Sequence, residues 1–344
     1  MQALVLAGGE GTRLRPLTYT TPKPVMPLAG RPFLTFMLDW LARHGVDEAL
    51  LALGYKSDEV HRVLGEEQHG MRLRYLIEDE PLGTAGPLRL AADEGLLADS
   101  GPVLVVNGDC LTDFDLTAQL RQHEATRASG TIALASVEDT ASYGVVPTKD
   151  DGEVEAFLEK QPGPAPTNRI NAGTYVLDRS VVDTIPAGRA VSIEREVFPR
   201  LVGHGLYGFP FDGYWIDIGT PERYLEATYD LLAGRVESEL PPRDETDSLI
   251  YEGCITSGAR IGPLSVVGRH CSVGDLSVVE RAVLHDSVRV GQDCTVFESV
   301  LAEGVRLEDG ARVGPDAIVG AGAVVAEGAV VGQGARIDPG TRVE

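Results

Sequence analysis

"LAEGVRLEDGARVGPDAIVGAGAVVAEGAVVGQGARIDPGTR", residues 301–342, divides without remainder into seven hexapeptides, each opening on Leu, Val or Ile. A period of six with one aliphatic residue per repeat predicts a parallel β-helix. Each hexad supplies one short strand, its leading side chain points inward, and three hexads complete a coil. Upstream, "ITSGARIGPLSVVGRHCSVGDLSV" (255–278) runs in the same style, and two five-residue steps, "VERAV" and "VFESV", shift the frame between the blocks. Residues 255–342 then make about five coils, each rising ~4.8 Å, the spacing of neighbouring strands.

Working back towards the N-terminus, the proline-rich, charged stretch "ESELPPRDETDS" (237–248) separates this array from a different pattern. "ALVLA", "EALLALG", "MRLRYLI" and "PVLVVNGD" (102–109) read as strands. "FLTFMLDWLARHG" (33–45) reads as a helix closed by glycine, Thr84 to Ala98 as a helix that Thr84 caps, and Asp115 to Ala128 as another. Such alternation implies an α/β, Rossmann-like domain on a mixed, mostly parallel sheet. Ligands of these sheets sit beyond the carboxyl ends of the strands, where both "LAGG" and "NGD" fall. The expected partition is a catalytic domain over 1–234, a linker over 235–250 and a hexapeptide-repeat domain over 251–344.

The 344 residues suffice for two cores. A net charge of −22, from 52 acidic against 30 basic residues, argues against nucleic acid or an anionic membrane as partner. The four cysteines form no CxxC pair and the seven histidines show no ligand spacing, so neither a zinc site nor a disulfide framework is expected. Reduced thiols fit a cytoplasmic protein. The apolar stretch Ala3 to Ala7 is too short for a membrane span.

Behind the first strand, "LVLAGGEGTRLRPLTYTTPKP" (4–24) gathers three glycines, two arginines and a lysine. It is not a dinucleotide fingerprint, because Leu14 stands where the third glycine is required. It is not a P-loop either, because Lys23 lies between Pro22 and Pro24. What remains is a glycine turn whose bare amides can approach a triphosphate, with Arg13, Arg15 and Lys23 supplying positive charge.

"GGEGTRLRPLT…TPKP" resembles the opening signature of the sugar-1-phosphate nucleotidyltransferases. The resemblance continues through "EDEPLGTAGP" (78–87), "NGD" (107–109), "SYGVV" (142–146), "FLEK" (157–160), "INAGTYVL" (170–177), "SIEREVFP" (192–199) and "YWIDIGTPERY" (214–224). With a hexapeptide tail, the set is similar to the mannose-1-phosphate guanylyltransferases. The tail, shared by sister families and left-handed in its coil, discriminates little among them.

The resemblance implies transfer of a nucleotidyl group from GTP to a sugar 1-phosphate. A phosphate monoester is already ionised near neutral pH, so no general base is needed, and none is evident. Two polyanions must instead be brought together, which calls for positioning and charge stabilisation. By the same resemblance Arg13 grips the β- and γ-phosphates and Lys23 sits over the attacking and α-phosphates. Asp109 and Asp217, each ending an apolar run, share a Mg²⁺ ion. Leu6, Ala7, Gly8, Gly9, Gly11 and Thr12 line the nucleotide, with Glu78 reading the base and Gly83 and Thr84 offering backbone contacts. Gly144, Glu159, Lys160, Asn171 and Gly173 meet the sugar phosphate, while Arg15, Glu194 and Arg195 are supporting or surface residues and Tyr214 and Trp215 form core or pocket wall. Three alternatives stay open: another sugar or base, a non-catalytic regulatory paralogue, and a second, acyltransferase activity resting on His270 or His285. A homo-oligomer built through the β-helix is expected.

Overall fold

The computed structural model describes the chain except for residues 99–100, 160–163 and 257. Its backbone forms two compact units. The first joins Met1–Gly9 to Met37–Trp215, and the second joins Glu10–Phe36 to Ile216–Glu344.

The first unit is the expected α/β sheet. Strands β1 (Gln2–Leu6), β2 (Glu48–Leu53), β3 (Met71–Ile77) and β4 (Val103–Asn107) run parallel in the order β3-β2-β1-β4. Strands β1, β2 and β4 are aliphatic over nearly all their length because both faces of the sheet are covered there, whereas β3 carries Arg72, Arg74 and Tyr75 and has Arg72 and Ile77 exposed. Beyond β4 the sheet turns antiparallel. Strands β5 (Gly130–Ser136), β6 (Gly144–Val145) and β7 (Leu158–Glu159) precede β8 (Arg169–Leu177), which pairs with β4, β5 and β6. Strand β9 (Leu206–Pro210) then lies parallel to β5. Leu4, Leu50, Leu76, Val105, Ile132 and Tyr175 belong to one buried cluster of this unit. Helix α1 (Phe33–Arg43) ends at Gly45, whose φ of +80° lets the Gly45 and Val46 amides reach back to Ala42 and Leu41. Helix α2 (Gly86–Asp93) is shorter than the expected Thr84–Ala98, and α3 (Leu116–Thr126) is capped by Asp115, which accepts from the Ala118 amide at 3.0 Å.

In the second unit, residues from Leu249 to Val343 wind into three parallel sheets of six, five and five short strands, a left-handed parallel β-helix. Successive coils are 17 residues apart where Leu249, Val266, Val283 and Val300 stack, and 18 apart from Val300 through Ile318 to Arg336. The five-residue steps account for the shorter coils. Val279, Val296, Val313 and Val331 point inward as the hexad reading requires.

Ile255 departs from that reading. It pairs with the outward-facing Ser272 and is 65% exposed, so it lies on the outer face. A third five-residue step, between Ile255 and Arg260, therefore precedes the regular frame. The cysteines have a structural use here. The thiols of Cys254, Cys271 and Cys294 each donate to a carbonyl 14 residues on, at 2.9, 3.1 and 3.1 Å, as do the hydroxyls of Ser248 and Ser277 at 2.7 Å. Burial pushes the Cys271 thiol up to about 12, keeping it a neutral donor. All four cysteines are free.

Candidate active site

Strand β1 is pinned at its carboxyl end: Ala7 donates to Ala52 O at 3.0 Å, and Gly108 donates to Leu6 O at 2.8 Å. Gly108 has to be glycine, because a Cβ there would stand 2.9 Å from both Leu6 O and the Ala7 Cβ. The adjacent Asp109, half-buried, is thereby set beside the start of the glycine turn. Gly9 has nothing within 4 Å of where a Cβ would be, leaving its backbone open to a ligand. Gly8 faces the carboxylate of Glu78, whose Oε1 lies 3.1 Å from the position of a Gly8 Cβ, with the Gly54 amide at 3.4 Å. The other oxygen of Glu78 accepts from the Leu82 amide at 2.9 Å. Burial raises the Glu78 carboxyl above its ordinary value, and the Leu82 amide opposes that rise.

Gly83 and Thr84 hold this loop in shape. Gly83 adopts φ +74°, and a Cβ on it would meet Val191 O at 2.6 Å. Val191 donates to Leu82 O and accepts from the Ala85 amide, both at 2.9 Å. The Thr84 hydroxyl donates to Glu194 at 2.7 Å and accepts from the Ile193 amide at 2.8 Å. Thr84 is therefore not the cap of α2, where Ala85 holds that position without a side-chain bond. Glu194, which also accepts from the Ser192 hydroxyl at 2.8 Å, braces the loop, whereas Arg195 is exposed.

The sugar-phosphate candidates fall into two groups. Gly144 and Glu159 are register partners on β6 and β7, and the Glu159 carboxylate lies 3.1 Å from where a Gly144 Cβ would stand. Asn171 and Gly173 form a bulge in β8. Asn171 accepts from the Gly173 amide and donates to the Tyr175 hydroxyl, both at 2.9 Å, so its side chain shapes the bulge. Gly173, at φ +75°, leaves room for Asn107, whose Nδ2 would sit 2.8 Å from a Cβ. Trp215 donates to Ala172 O at 2.8 Å and packs edge-on against Tyr143. Lys160 lies outside the described residues.

The cations belong to the second unit. Gly11, at φ +63°, turns the chain into a short 3₁₀ segment, Thr12–Leu14, on which Arg13 is exposed. Lys23 is buried to 9% exposure in a second such segment, Lys23–Val25, and its Cβ would lie 3.3 Å from a Cβ on Gly11. Arg13 extends over Gly219, where a Cβ would stand 2.7 Å from Nη2 and 3.0 Å from Cζ. Asp217, half-buried, precedes Gly219 by two residues at the end of the strand Trp215–Asp217. Gly219 was not singled out by sequence reasoning, and its place in "DIGTPERY" gave no sign that a guanidinium lies on it. Arg15 pairs with Glu10 at 3.1 Å on the surface.

Residues 2–234 match the Nucleotidyl transferase family and residues 237–331 match the GlmU-like, C-terminal hexapeptide family. The chain belongs to the nucleotidyltransferase family. Among curated relatives, the mannose-1-phosphate guanylyltransferase of Mycobacterium tuberculosis (strain ATCC 25618 / H37Rv) is 40% identical over 86% of this chain and 83% of its own length. Mannose-1-phosphate guanylyltransferase 1 of Arabidopsis thaliana is 34% identical over 87% and 82%. Among solved structures, HddC from Yersinia pseudotuberculosis superposes with a TM-score of 0.58 at 30% identity, covering 66% of this chain and 97% of that one, and it has also been solved in complex with GMP-PN. No helix among the described residues is long and apolar enough to cross a membrane.

Proposed function

We propose that the chain transfers a guanylyl group from GTP to mannose 1-phosphate, giving GDP-mannose and pyrophosphate. The observation that carries this reading is the fixed pair of cations: Lys23 buried between two prolines against Gly11, and Arg13 laid on Gly219. The names and identities of the relatives support the same reaction.

An ionised oxygen of the sugar phosphate attacks the α-phosphorus of GTP. The bond to the bridging oxygen breaks in line, and pyrophosphate leaves with the electron pair, so no proton needs to move in this step. Lys23 lies over the attacking and α-phosphates and Arg13 offers its planar fork to the departing pyrophosphate. Leu6 to Gly9, Gly11 and Thr12 present backbone to the nucleotide, and Glu78 takes donors from the guanine edge. Gly144, Glu159 and Gly173, with Lys160, receive the sugar phosphate.

Nucleotidyltransferases of this kind generally use a divalent metal. We assign Mg²⁺ to Asp109 and Asp217, since anionic oxygens at the ends of apolar strands are the donors a hard cation prefers. When bound, the ion neutralises phosphate charge and polarises the α-phosphate. We further read residues 1–234 as the catalytic region and 251–344 as an assembly region of a cytoplasmic homo-oligomer. The acyltransferase alternative loses its buried candidate: His285 is enclosed and in contact with Tyr224, and burial lowers it to about 4. A matrix of five nucleoside triphosphates against several sugar 1-phosphates, read as pyrophosphate release, tests the proposal. The expected best pair is GTP with mannose 1-phosphate, and a preference for UTP or dTTP overturns it.

A further inference from the structure

The segment that bears Arg13 and Lys23 belongs to the same compact unit as the β-helix, about two hundred residues later in the chain. Immediately after Lys23–Val25, residues Pro27–Leu28 and Arg31–Pro32 form a two-stranded hairpin whose turn residues, Ala29 and Gly30, adopt φ of +45° and +80°. Two tyrosines hold this hairpin. Tyr251, entering the first coil, donates its hydroxyl to Ala29 O at 2.7 Å, and its ring fills the space that a Cβ on Gly30 would overlap. Tyr224, on helix α4 (Pro221–Leu232), donates to Pro27 O.

A phenol has one proton, and a carbonyl only accepts. With that proton on Pro27, the oxygen of Tyr224 must receive from Nε2–H of His285, which lies 3.1 Å away in the β-helix. The result is a buried chain running from His285 through Tyr224 to the Pro27 carbonyl. Helix α4 is fastened at both ends of its length as well. Tyr229 donates to Arg281 O and Glu222 pairs with Arg336 at 3.1 Å, and the helix follows directly on Gly219 and its cap Thr220. Hydrogen bonds over 197 and 222 residues of sequence thus converge on one hairpin, and a third, over 61 residues, supports the Tyr224 hydroxyl that makes one of them.

We propose that the β-helix is the mount of the cationic half of the site, with Tyr251, Tyr224 and His285 acting as positioning residues for Lys23. This rests on the nucleotidyl-transfer reading for its kinetic consequences only. None of the three residues touches substrate; they act by fixing the hairpin that ends the Lys23 segment.

The test compares three full-length variants. Tyr251→Phe removes a hydrogen bond that ends on the hairpin, and His285→Phe removes the bond to the Tyr224 hydroxyl that in turn holds Pro27, whereas Tyr229→Phe removes one between α4 and the β-helix that leads to no hairpin residue. Displacement of a positioned group by about 1 Å costs up to ~100-fold in rate. The first two are therefore expected to lower kcat at saturating substrate by roughly tenfold, with KM for GTP little changed. Tyr229→Phe should keep wild-type kcat even where its melting temperature falls as far as theirs. Equal kcat in all four proteins, or an equal fall in all three variants, overturns the proposal. If wild type releases no pyrophosphate from any pair, it is the functional reading that has failed, and amide hydrogen exchange decides the mount separately. Faster exchange over residues 23–33 in Tyr251→Phe and not in Tyr229→Phe supports it; unchanged exchange in both refutes it.

Discussion

Replacing Gly219 by alanine asks how much of catalysis depends on where one guanidinium lies. The φ of Gly219 is outside the left-handed region, so alanine imposes no backbone strain. The three heavy atoms nearest a new Cβ all belong to the head of Arg13, at 2.7, 3.0 and 3.1 Å. An ordinary contact is ~3.5 to 4.0 Å, so the Arg13 head must retreat by about 1 Å. It is the exposed end of a long side chain, which makes the retreat cheap for folding. The expected change in melting temperature is small, under ~2 °C, because surface adjustments away from a core contribute within about 0.5 kcal/mol. For the reaction the same movement is costly. A donor set for the leaving pyrophosphate is displaced, and kcat/KM should fall by roughly ten- to a hundredfold, about 1.4 to 2.7 kcal/mol of transition-state stabilisation. Continuous pyrophosphate release at varied GTP measures it. A double-mutant cycle adds a stricter demand: if Gly219 acts through Arg13, Gly219→Ala in an Arg13→Ala background should cost nothing more. A single variant with kcat/KM close to wild type, or additive losses in the double variant, refutes the reasoning.

Asp109→Ala and Asp217→Ala are each expected to remove turnover while leaving chemical denaturation midpoints nearly unchanged, and retention of more than about a tenth of wild-type kcat, ~1.4 kcal/mol, counts against the metal assignment. Glu78→Gln should shift the kcat/KM preference for GTP over UTP or dTTP by one to two orders of magnitude, from a charged hydrogen bond worth ~1.5 to 3 kcal/mol; an unchanged ratio means the carboxylate does not read the base. Because burial raises the Glu78 carboxyl, KM for GTP should climb as pH falls through that raised value, and this climb should be absent in Glu78→Gln. His285 is lowered from 6.5 to about 4 in the folded chain, so the unfolded chain binds the extra proton between those values and stability must fall as pH drops through that window. The full loss is on the order of 3 kcal/mol, and urea midpoints measured from pH 7 to 4 should show it in wild type and less of it in His285→Phe.

The β-helix was legible because a strand period of six survives any surface substitution, but its early coils were harder to frame. From residue 301 on, glycine occupies the left-handed corner in most hexads, as at Gly304, Gly310, Gly322 and Gly328, so the repeat announces itself. In the earlier coils the same corner is held by Leu264, His270, Leu276, Arg281 and Ser287 at φ between +49° and +63°. These residues carry no recognisable turn chemistry. The step from Ile255 to Arg260 has glycine at its corner, Gly258 at φ +82°, and is hidden for a different reason: Ile255 opens an apparently regular hexad, "ITSGAR", although it faces outward. The parallel sheet was readable from its aliphatic runs, while the bulge at Asn171–Gly173 required knowledge of Tyr175 and Asn107 beside it.

The site was legible as a set of residue types and much less so as a set of dependencies. Glu78, Gly83 and Thr84 stand together in sequence, yet one faces the glycine turn at Gly8 and the other two are fastened to Val191, Ile193 and Glu194 more than one hundred residues away. The same holds more strongly for Lys23. Two prolines fix its local turn, which the sequence shows, but the hairpin that follows is held by Tyr224, Tyr251 and His285, which no local pattern connects to it. His285 illustrates the physical reason. A buried neutral histidine between strands looks the same in sequence as an exposed catalytic one, and only the phenol beside it, with its single proton already spent on Pro27, decides which nitrogen carries hydrogen and what the ring is for. A chain cut at Gly234 would keep every cation of the reaction and lose two of the three groups that hold the Lys23 hairpin, so removal of the repeats is expected to impair turnover as well as assembly.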